Sequence, residues 1–272
     1  MNKVIILTGA SGNIGNKIYS KIKKKNCHGL YFKKKIKKDK KLIKLDLRNK
    51  KSVKSLLKKI KPSIIIHTAG MKNPQLNEKY PIKSKNLNLK VTRNLVSNLN
   101  KKTHFIFFST DKVYDGKKKN YNEKSKALPI GLYGKYKLKC EVIIKKKFRK
   151  HHIIRMPLVH FNGSNKDFSI IDRNIFLLNK KKKVVVFKNI ERCFVDVDDL
   201  VRFVTKLMKN KKYGTYNIGS KLSTYSDRVK KICKKQKIDF KKNLIEVIGN
   251  IKPISMQLDT KKLVNNFNFK FT

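Results

Sequence analysis

The sequence has no tryptophan, and its 272 residues include only 17 acidic side chains, six prolines and four cysteines. Cys27, Cys140, Cys193 and Cys233 are scattered, with no CxxC pair and no histidine at metal-ligand spacing. That pattern excludes a disulfide scaffold and a zinc ribbon, and predicts reduced structural thiols, a cytoplasmic location and no metal site. No apolar run approaches the ~20 residues of a membrane span, so no membrane partner is expected. Lys3-Val4-Ile5-Ile6 begins a strand at once, and no signal peptide is expected before it. There is no internal repeat.

Arginine is scarce as well: eight residues against 62 lysines, within a formal net charge of +53. Such a basic excess ordinarily points to nucleic acid or an anionic membrane. Selection for phosphate or base recognition would favour arginine, whose planar fork binds in a bidentate manner. The bias also reaches Asn and Ile. The reading is AT-rich codon drift, with lysine filling tolerant surface positions, and no specific nucleic-acid partner is expected. The charge still attracts phosphate-bearing ligands.

What is present is a succession of short apolar runs separated by helix-compatible stretches. "KVIILTGA" (3–10), "CHGLYF" (27–32), "KLIKLDL" (41–47), "SIIIHTAG" (63–70) and "THFIFFST" (103–110) read as strands. Between them, 12–25 keeps Ile14, Ile18 and Ile22 on one helical face, 52–62 ends at Pro62, and one long helix is predicted over roughly 81–100. Continuous apolar strands alternating with helices predict an α/β fold with a doubly wound parallel sheet. Such a sheet binds ligands beyond the carboxyl ends of its strands. "TGASGNIG" (8–15) falls there, with Gly9, Gly12 and Gly15 spaced to bring backbone close to a pyrophosphate on a helix N-terminus. A structural turn would use the same glycines; their place directly after an apolar strand favours the phosphate loop.

Three stretches together carry a resemblance. "TGASGNIG", "STDKVYDG" (109–116) and "YGKYKLKCE" (133–141) resemble the cofactor loop, active-site strand and Tyr-x-x-x-Lys helix of extended short-chain dehydrogenase/reductases. "IIIHTAGMK", "NLKVTRNL" (88–95), "RCFVDVDDL" (192–200) and "GTYNIGS" (214–220) follow in family order, with Val91 where the family usually has Gly. Within that superfamily, "STD" with "VYDG", and the tail "ISMQLDTKKL" (254–263), look most like the dTDP-4-dehydrorhamnose reductase group, with Lys252 in place of an Arg. The resemblance implies a Rossmann-type domain over 1–153, rejoined by about 190–219. A smaller substrate lobe would be built from 154–189 and 220–272.

The resemblance also implies an NAD(P)-dependent oxidoreductase. Thr110, Tyr133 and Lys137 would be catalytic, with Tyr133 giving a proton to a carbonyl oxygen and Lys137 lowering its pKa and bonding the nicotinamide ribose. With so many lysines, Lys137 alone carries little; the ordered set of motifs carries the assignment. The cofactor residues implied are Gly9, Ser11, Gly12, Asn13, Ile14, Gly15, Lys33, Asp46, Leu47, Thr68, Ala69, Gly70 and Lys72, together with Tyr133 and Lys137. Thr110, Asp111 and Arg192 would meet the substrate. Asn88 is expected to support its helix, and His67 to be a core histidine. NAD sites usually place an acid about 20 residues past the glycine loop; here there is none before Asp39, while Lys33 and Lys34 are placed for a 2′-phosphate. NADP is therefore the expected cofactor, with NAD as the alternative. The main expectation is a nucleotide-sugar 4-ketoreductase of polysaccharide biosynthesis, with a homodimer allowed. The alternatives are a 4-epimerase or 4,6-dehydratase with bound NAD, and a non-catalytic regulatory member of the family.

Overall fold

The computed structural model describes residues 3–33, 39–162, 168–249 and 256–272. Within them the chain divides into two units: Met1–Asp115, Lys126–Arg155 and Val201–Tyr216 form the first, and Gly116–Ser125, Met156–Leu200 and Asn217–Thr272 the second. Two stretches expected in the nucleotide domain belong to the second unit. Residues 116–125 go there because Asn120–Tyr121 pairs in parallel with Gln257–Leu258. Residues 190–200 go there because Glu191–Arg192 pairs antiparallel with Ser223–Thr224, and Phe194–Asp196 pairs in parallel with Leu158–His160.

The first unit is built on a seven-stranded sheet. Its labelled strands are β1 (Ile5–Thr8), β2 (Cys27–Tyr31), β3 (Leu42–Lys44), β4 (Ile64–His67) and β5 (His104–Thr110). The order across the sheet is Gly214–Asn217, His151–Met156, β5, β4, β1, β2, β3. β1 runs parallel to both β2 and β4, β4 to β5, and β2 to β3. Every residue of β1, β4 and β5 is buried, as their unbroken apolar runs predict for a sheet covered on both faces. The chain order reverses between β1 and β4, so the loops that follow them face each other across the crevice where such folds bind ligands.

The helices of this unit are α1 (Asn13–Ile22), α2 (Lys50–Ile60), α3 (Pro74–Lys79), α4 (Pro81–Lys85), α5 (Val91–Asn98) and α6 (Leu132–Lys147). On α1 the inner face is Gly15, Ile18, Tyr19 and Ile22, with Ile14 half-buried at its edge. α2 is capped by the Asn49 side chain on the Ser52 N–H, and it ends in a left-handed Lys61 before Pro62. The long helix expected at 81–100 is interrupted: α4 and α5 flank a π-helical stretch, Asn86–Lys90. The core joins Ile6, Leu30, Ile65, Phe105 and Phe107 of the sheet to Val53, Leu95 and Ile144 of the helices. In the second unit a separate core gathers Ile171, Ile175, Val184, Val186, Phe194, Val229 and Ile232. All four cysteines are buried free thiols.

Candidate active site

The loop after β1 is shaped by close backbone approach. Gly9 sits at φ +71°, and a side chain there would meet Thr68 Oγ1 and the Ala69 nitrogen at 2.8 Å. A β-carbon on Gly15 would lie 2.1 Å from the Gly9 carbonyl oxygen, so α1 starts flush against the turn only because Gly15 has none. Gly12 caps α1 with no side-chain hydrogen bond, and Ser11, Asn13 and Ile14 line the turn half-buried. The first N–H groups of α1 therefore lie at the carboxyl edge of the sheet, and the N-cap glycine gives them no side-chain acceptor. That cradle, too tight for any β-carbon at Gly9 or Gly15, fits a dinucleotide pyrophosphate.

The other side of the crevice is tied to this loop by a directed chain of hydrogen bonds. Ala69 N–H donates to Thr8 Oγ1 (3.3 Å), and Thr8 Oγ1 meets His67 Nδ1 at 2.7 Å. His67 Nε2 meets Thr92 Oγ1 at 3.0 Å, and Thr92 Oγ1 donates to the Asn88 carbonyl (2.8 Å). Since Thr92 spends its proton on Asn88, the imidazole carries its hydrogen on Nε2 and accepts at Nδ1. Burial, with the Lys137 charge beside it, holds His67 down to about 3, so it is neutral. Thr68 Oγ1 donates to the Thr8 carbonyl, and Gly70 packs against Asn88 Oδ1, which accepts the Met71 N–H. Asn88 Nδ2 donates to Asn77 Oδ1, which also accepts from Ser84. Asn88 is thus a buried hub between the segment after β4 and α3, and Asn77 and Ser84 complete it. Nothing in the spacing of Asn77 or Ser84 marks them in the sequence.

Thr110, Tyr133 and Lys137 are brought together where β5 ends. Thr110 closes the strand, and its Oγ1 donates to Asp111 Oδ1 (3.1 Å) and accepts from the Lys112 N–H. Tyr133 lies in the first turn of α6, close enough to Thr110 for that side chain to act on its phenol, and Lys137 lies one turn further along the same face. Gly134 lets this happen: a β-carbon there would lie 2.0 Å from the Lys112 carbonyl oxygen. The Leu132 N–H of α6 is capped by Glu78 Oε1 of α3 at 2.6 Å, a cap 54 residues distant in sequence.

Lys137 is buried; its Nζ donates to the Phe108 carbonyl (2.8 Å) and lies 4.7 Å from the centre of the Phe107 ring. Burial pulls it down to about 8, against the charges of Cys140 and Glu141, which push it up. Tyr133 moves the other way: burial and then the Asp111 charge raise it, and the bond to Thr110 opposes them. The expected lowering of Tyr133 by Lys137 is therefore not what this arrangement produces. The Lys137 ammonium points to the Phe108 carbonyl and sits 5.9 Å above the Tyr133 ring. Tyr133 is held as a neutral phenol, a proton donor.

The remaining expected residues are less concentrated. Asp46 is half-buried and locked to Arg48 by paired bonds of 2.6 to 3.0 Å, which hold its carboxyl below the usual range. Leu47 is buried, its carbonyl fixed by Asn94 Nδ2 (2.9 Å). The Arg48 guanidinium also lies 5.2 Å over the Phe32 ring at the end of β2. Lys33 and Lys72 are exposed. Lys34 and Lys252 lie outside the described residues. Asp39 is not at the crevice: its charge acts on Cys27, where β2 begins, and on Tyr19 of α1, at the opposite edge of the sheet. Arg192 belongs to the second unit, half-buried in its short antiparallel pair.

Comparison with known proteins agrees with this architecture. The family described as RmlD substrate binding domain matches residues 1–265. A dTDP-4-dehydrorhamnose reductase from Bacillus anthracis, solved in complex with NADP, superposes with a TM-score of 0.83 at 22% identity, covering 100% of this chain and 95% of its own. A UDP-glucose 4-epimerase from Thermotoga maritima, solved with UDP-glucose, gives 0.83 at 18% identity over 98% and 93%. These likenesses establish a Rossmann-type fold. Among curated proteins, methionine adenosyltransferase 2 subunit beta of Xenopus tropicalis is 30% identical over 159 residues, 57% of this chain and 46% of that protein. The chain spans about half the length of the curated relatives it matches.

Proposed function

The chain belongs to the RmlD substrate binding domain family, and we propose that it is an NADP(H)-dependent nucleotide-sugar 4-ketoreductase. The observation that carries this reading is the meeting of Thr110, Tyr133 and Lys137 at the end of β5, in the same unit as the glycine cradle. NADPH, when bound, supplies the hydride for a sugar ketone carbon. Gly9, Gly12, Gly15 and the first turn of α1 would hold its pyrophosphate, and Thr68, Ala69 and Gly70 would line its path. Ser11, Asn13, Ile14, Asp46, Leu47, Lys33 and Lys72 complete the proposed cofactor residues. Thr110 would turn its one hydroxyl proton from Asp111 to the substrate carbonyl oxygen and hold it against Tyr133. Tyr133, kept protonated by burial, would deliver its proton to that oxygen as negative charge develops. Lys137 would offer its ammonium to the nicotinamide ribose and stabilise the phenolate left behind. Asp111 and Arg192 are the proposed substrate contacts.

NADP is favoured over NAD because Asp39, the first acid after the glycine loop, lies at the far edge of the sheet from the crevice. The B. anthracis reductase solved with NADP supports the same choice. The T. maritima epimerase solved with UDP-glucose supports a nucleotide-sugar substrate and keeps the epimerase alternative in view.

The test is titration of the purified protein with NADPH and NADH, followed by nicotinamide fluorescence, for the wild type and Lys137→Met. Binding of NADPH that weakens in the variant, followed by reduction of a dTDP-4-keto sugar, supports the reading. Protein isolated with NAD already bound would favour the epimerase or dehydratase alternative. A second reading, a non-catalytic regulatory subunit, is favoured by the curated relatives, which are named as subunits. It predicts that Tyr133→Phe leaves the protein's function intact.

A further inference from the structure

Glu141 stands on α6 one turn beyond Lys137 and two turns beyond Tyr133, so the three share one helical face. It is fully buried, and both of its carboxylate oxygens are bonded. Ser109 Oγ donates to Oε1 at 2.5 Å. Arg155 donates through Nε to Oε1 (3.1 Å) and through Nη2 to Oε2 (2.6 Å). The remaining arm of Arg155, Nη1, donates to the Tyr114 hydroxyl at 2.8 Å. Ser109, Tyr114 and Arg155 are themselves buried. Ser109 immediately precedes Thr110 on β5, so a single carboxylate links the strand that ends in Thr110 to the helix that carries Tyr133 and Lys137. A buried ion pair is seldom the most stable filling for its space; apolar side chains of the same volume are often as good. The quartet is better explained by what it aligns.

We propose that Glu141 is a positioning residue. Clamped by Ser109 and Arg155, it fixes the rotation of α6 that sets Tyr133 against Thr110 and Lys137 against the Phe108 carbonyl, and it stands as a carboxylate one turn from Lys137. The proposal rests on the reading that Lys137 binds cofactor. The groups around Lys137 define its balance. Cys140 and Glu141 on its own helix favour the ammonium against the burial that disfavours it. From β4 it faces neutral His67, and from β5 the Phe107 ring and the Phe108 carbonyl, while Lys145 on α6 lies 3.8 Å from the Glu141 carboxylate. Tyr133 on α6 is held neutral, Asp111 acts on Tyr133, and Arg155 is bound to Glu141 itself. Glu141 is therefore the one carboxylate on the Lys137 face of α6.

The experiment is the pH dependence of NADPH affinity from pH 6.5 to 10, read by fluorescence, for the wild type, Glu141→Gln and the double variant Glu141→Gln/Arg155→Met. The double variant leaves no unpaired buried charge and keeps the test available if the single one does not fold. The expected wild-type midpoint is near pH 8, where Lys137 loses its proton. In Glu141→Gln it should move down by about one unit, weakening binding about fivefold at pH 8 with little change at pH 6.5; in the double variant, which also removes the Arg155 cation, the downward shift should be smaller. A uniform loss of affinity at every pH, or an unmoved midpoint in a folded variant, overturns the proposal. No NADPH binding by the wild type overturns the cofactor reading itself, and this inference with it.

Discussion

At the scale of single residues, burial moves the two central side chains in opposite directions: Tyr133 becomes a weaker acid and Lys137 a weaker base. At neutral pH the first is a phenol with a proton to give and the second still an ammonium. Replacing Tyr133 by Phe removes the donor and little else, since the ring remains packed. We expect kcat for ketone reduction to fall by about 10²- to 10⁴-fold, with NADPH affinity within a few-fold of wild type; equal losses in both would show that the ring, not the proton, was needed. Gly134 is a second residue whose chemistry is its absence of a side chain. Gly134→Ala forces the Lys112 carbonyl away from α6. The expected cost is about 1–3 kcal/mol in urea unfolding, and Tyr133 should lose its contact with Thr110.

At the scale of elements, the buried Arg155–Glu141 pair joins the strand His151–Met156 to α6. Arg155→Met alone strands a carboxylate in the core and should cost about 3–5 kcal/mol, while adding Glu141→Gln should recover most of it. A double-mutant cycle by denaturant unfolding measures this, and additive losses would show the two act independently. The sequence was informative about elements whose cause is local. The apolar runs marked β1, β4 and β5, and the motif order marked the glycine cradle and the Thr110–Tyr133–Lys137 cluster. It was uninformative where the cause is distant. The helix expected at 81–100 breaks into a π-helical stretch because Asn88 is drawn into bonds with Met71 and Asn77, partners that no helical periodicity can announce. The Glu78 cap on α6 and the Asn94 bond to Leu47 likewise span 54 and 47 residues. The boundary near 190–200 was missed because two-residue strands such as Glu191–Arg192 carry no pattern of their own.

At the scale of the whole molecule, two kinds of charge govern stability. The first is charge kept out of the core. His67 and His104 are each held at about 3, against an ordinary 6.5, chiefly by burial. In the unfolded chain they take up protons first as pH falls, so stability is full above about pH 6.5 and drains away toward pH 3, by up to about 1.4 kcal/mol per unit for each group. The melting temperature should drop steadily from pH 6.5 to 4.5. The second is the formal net charge of +53, which folding brings closer together than the unfolded chain does. Lysines repel each other over a screening length of about 30 Å at 0.01 M salt, but only about 8 Å at physiological ionic strength. Adding sodium chloride from 10 to 300 mM should therefore raise the melting temperature at neutral pH, because screening relieves the compact state more than the expanded one. If ion pairs dominated instead, salt would lower it. Few acids are available to make such pairs, and the Arg48–Asp46 and Lys230–Glu246 bridges lie at the surface, where each is worth little. Binding to duplex DNA should follow the same law: present at low salt, indifferent to sequence, and lost as salt rises. A sequence preference that survives at 150 mM salt would mean that the lysines form a recognition surface, and that drift in composition is the wrong account of them.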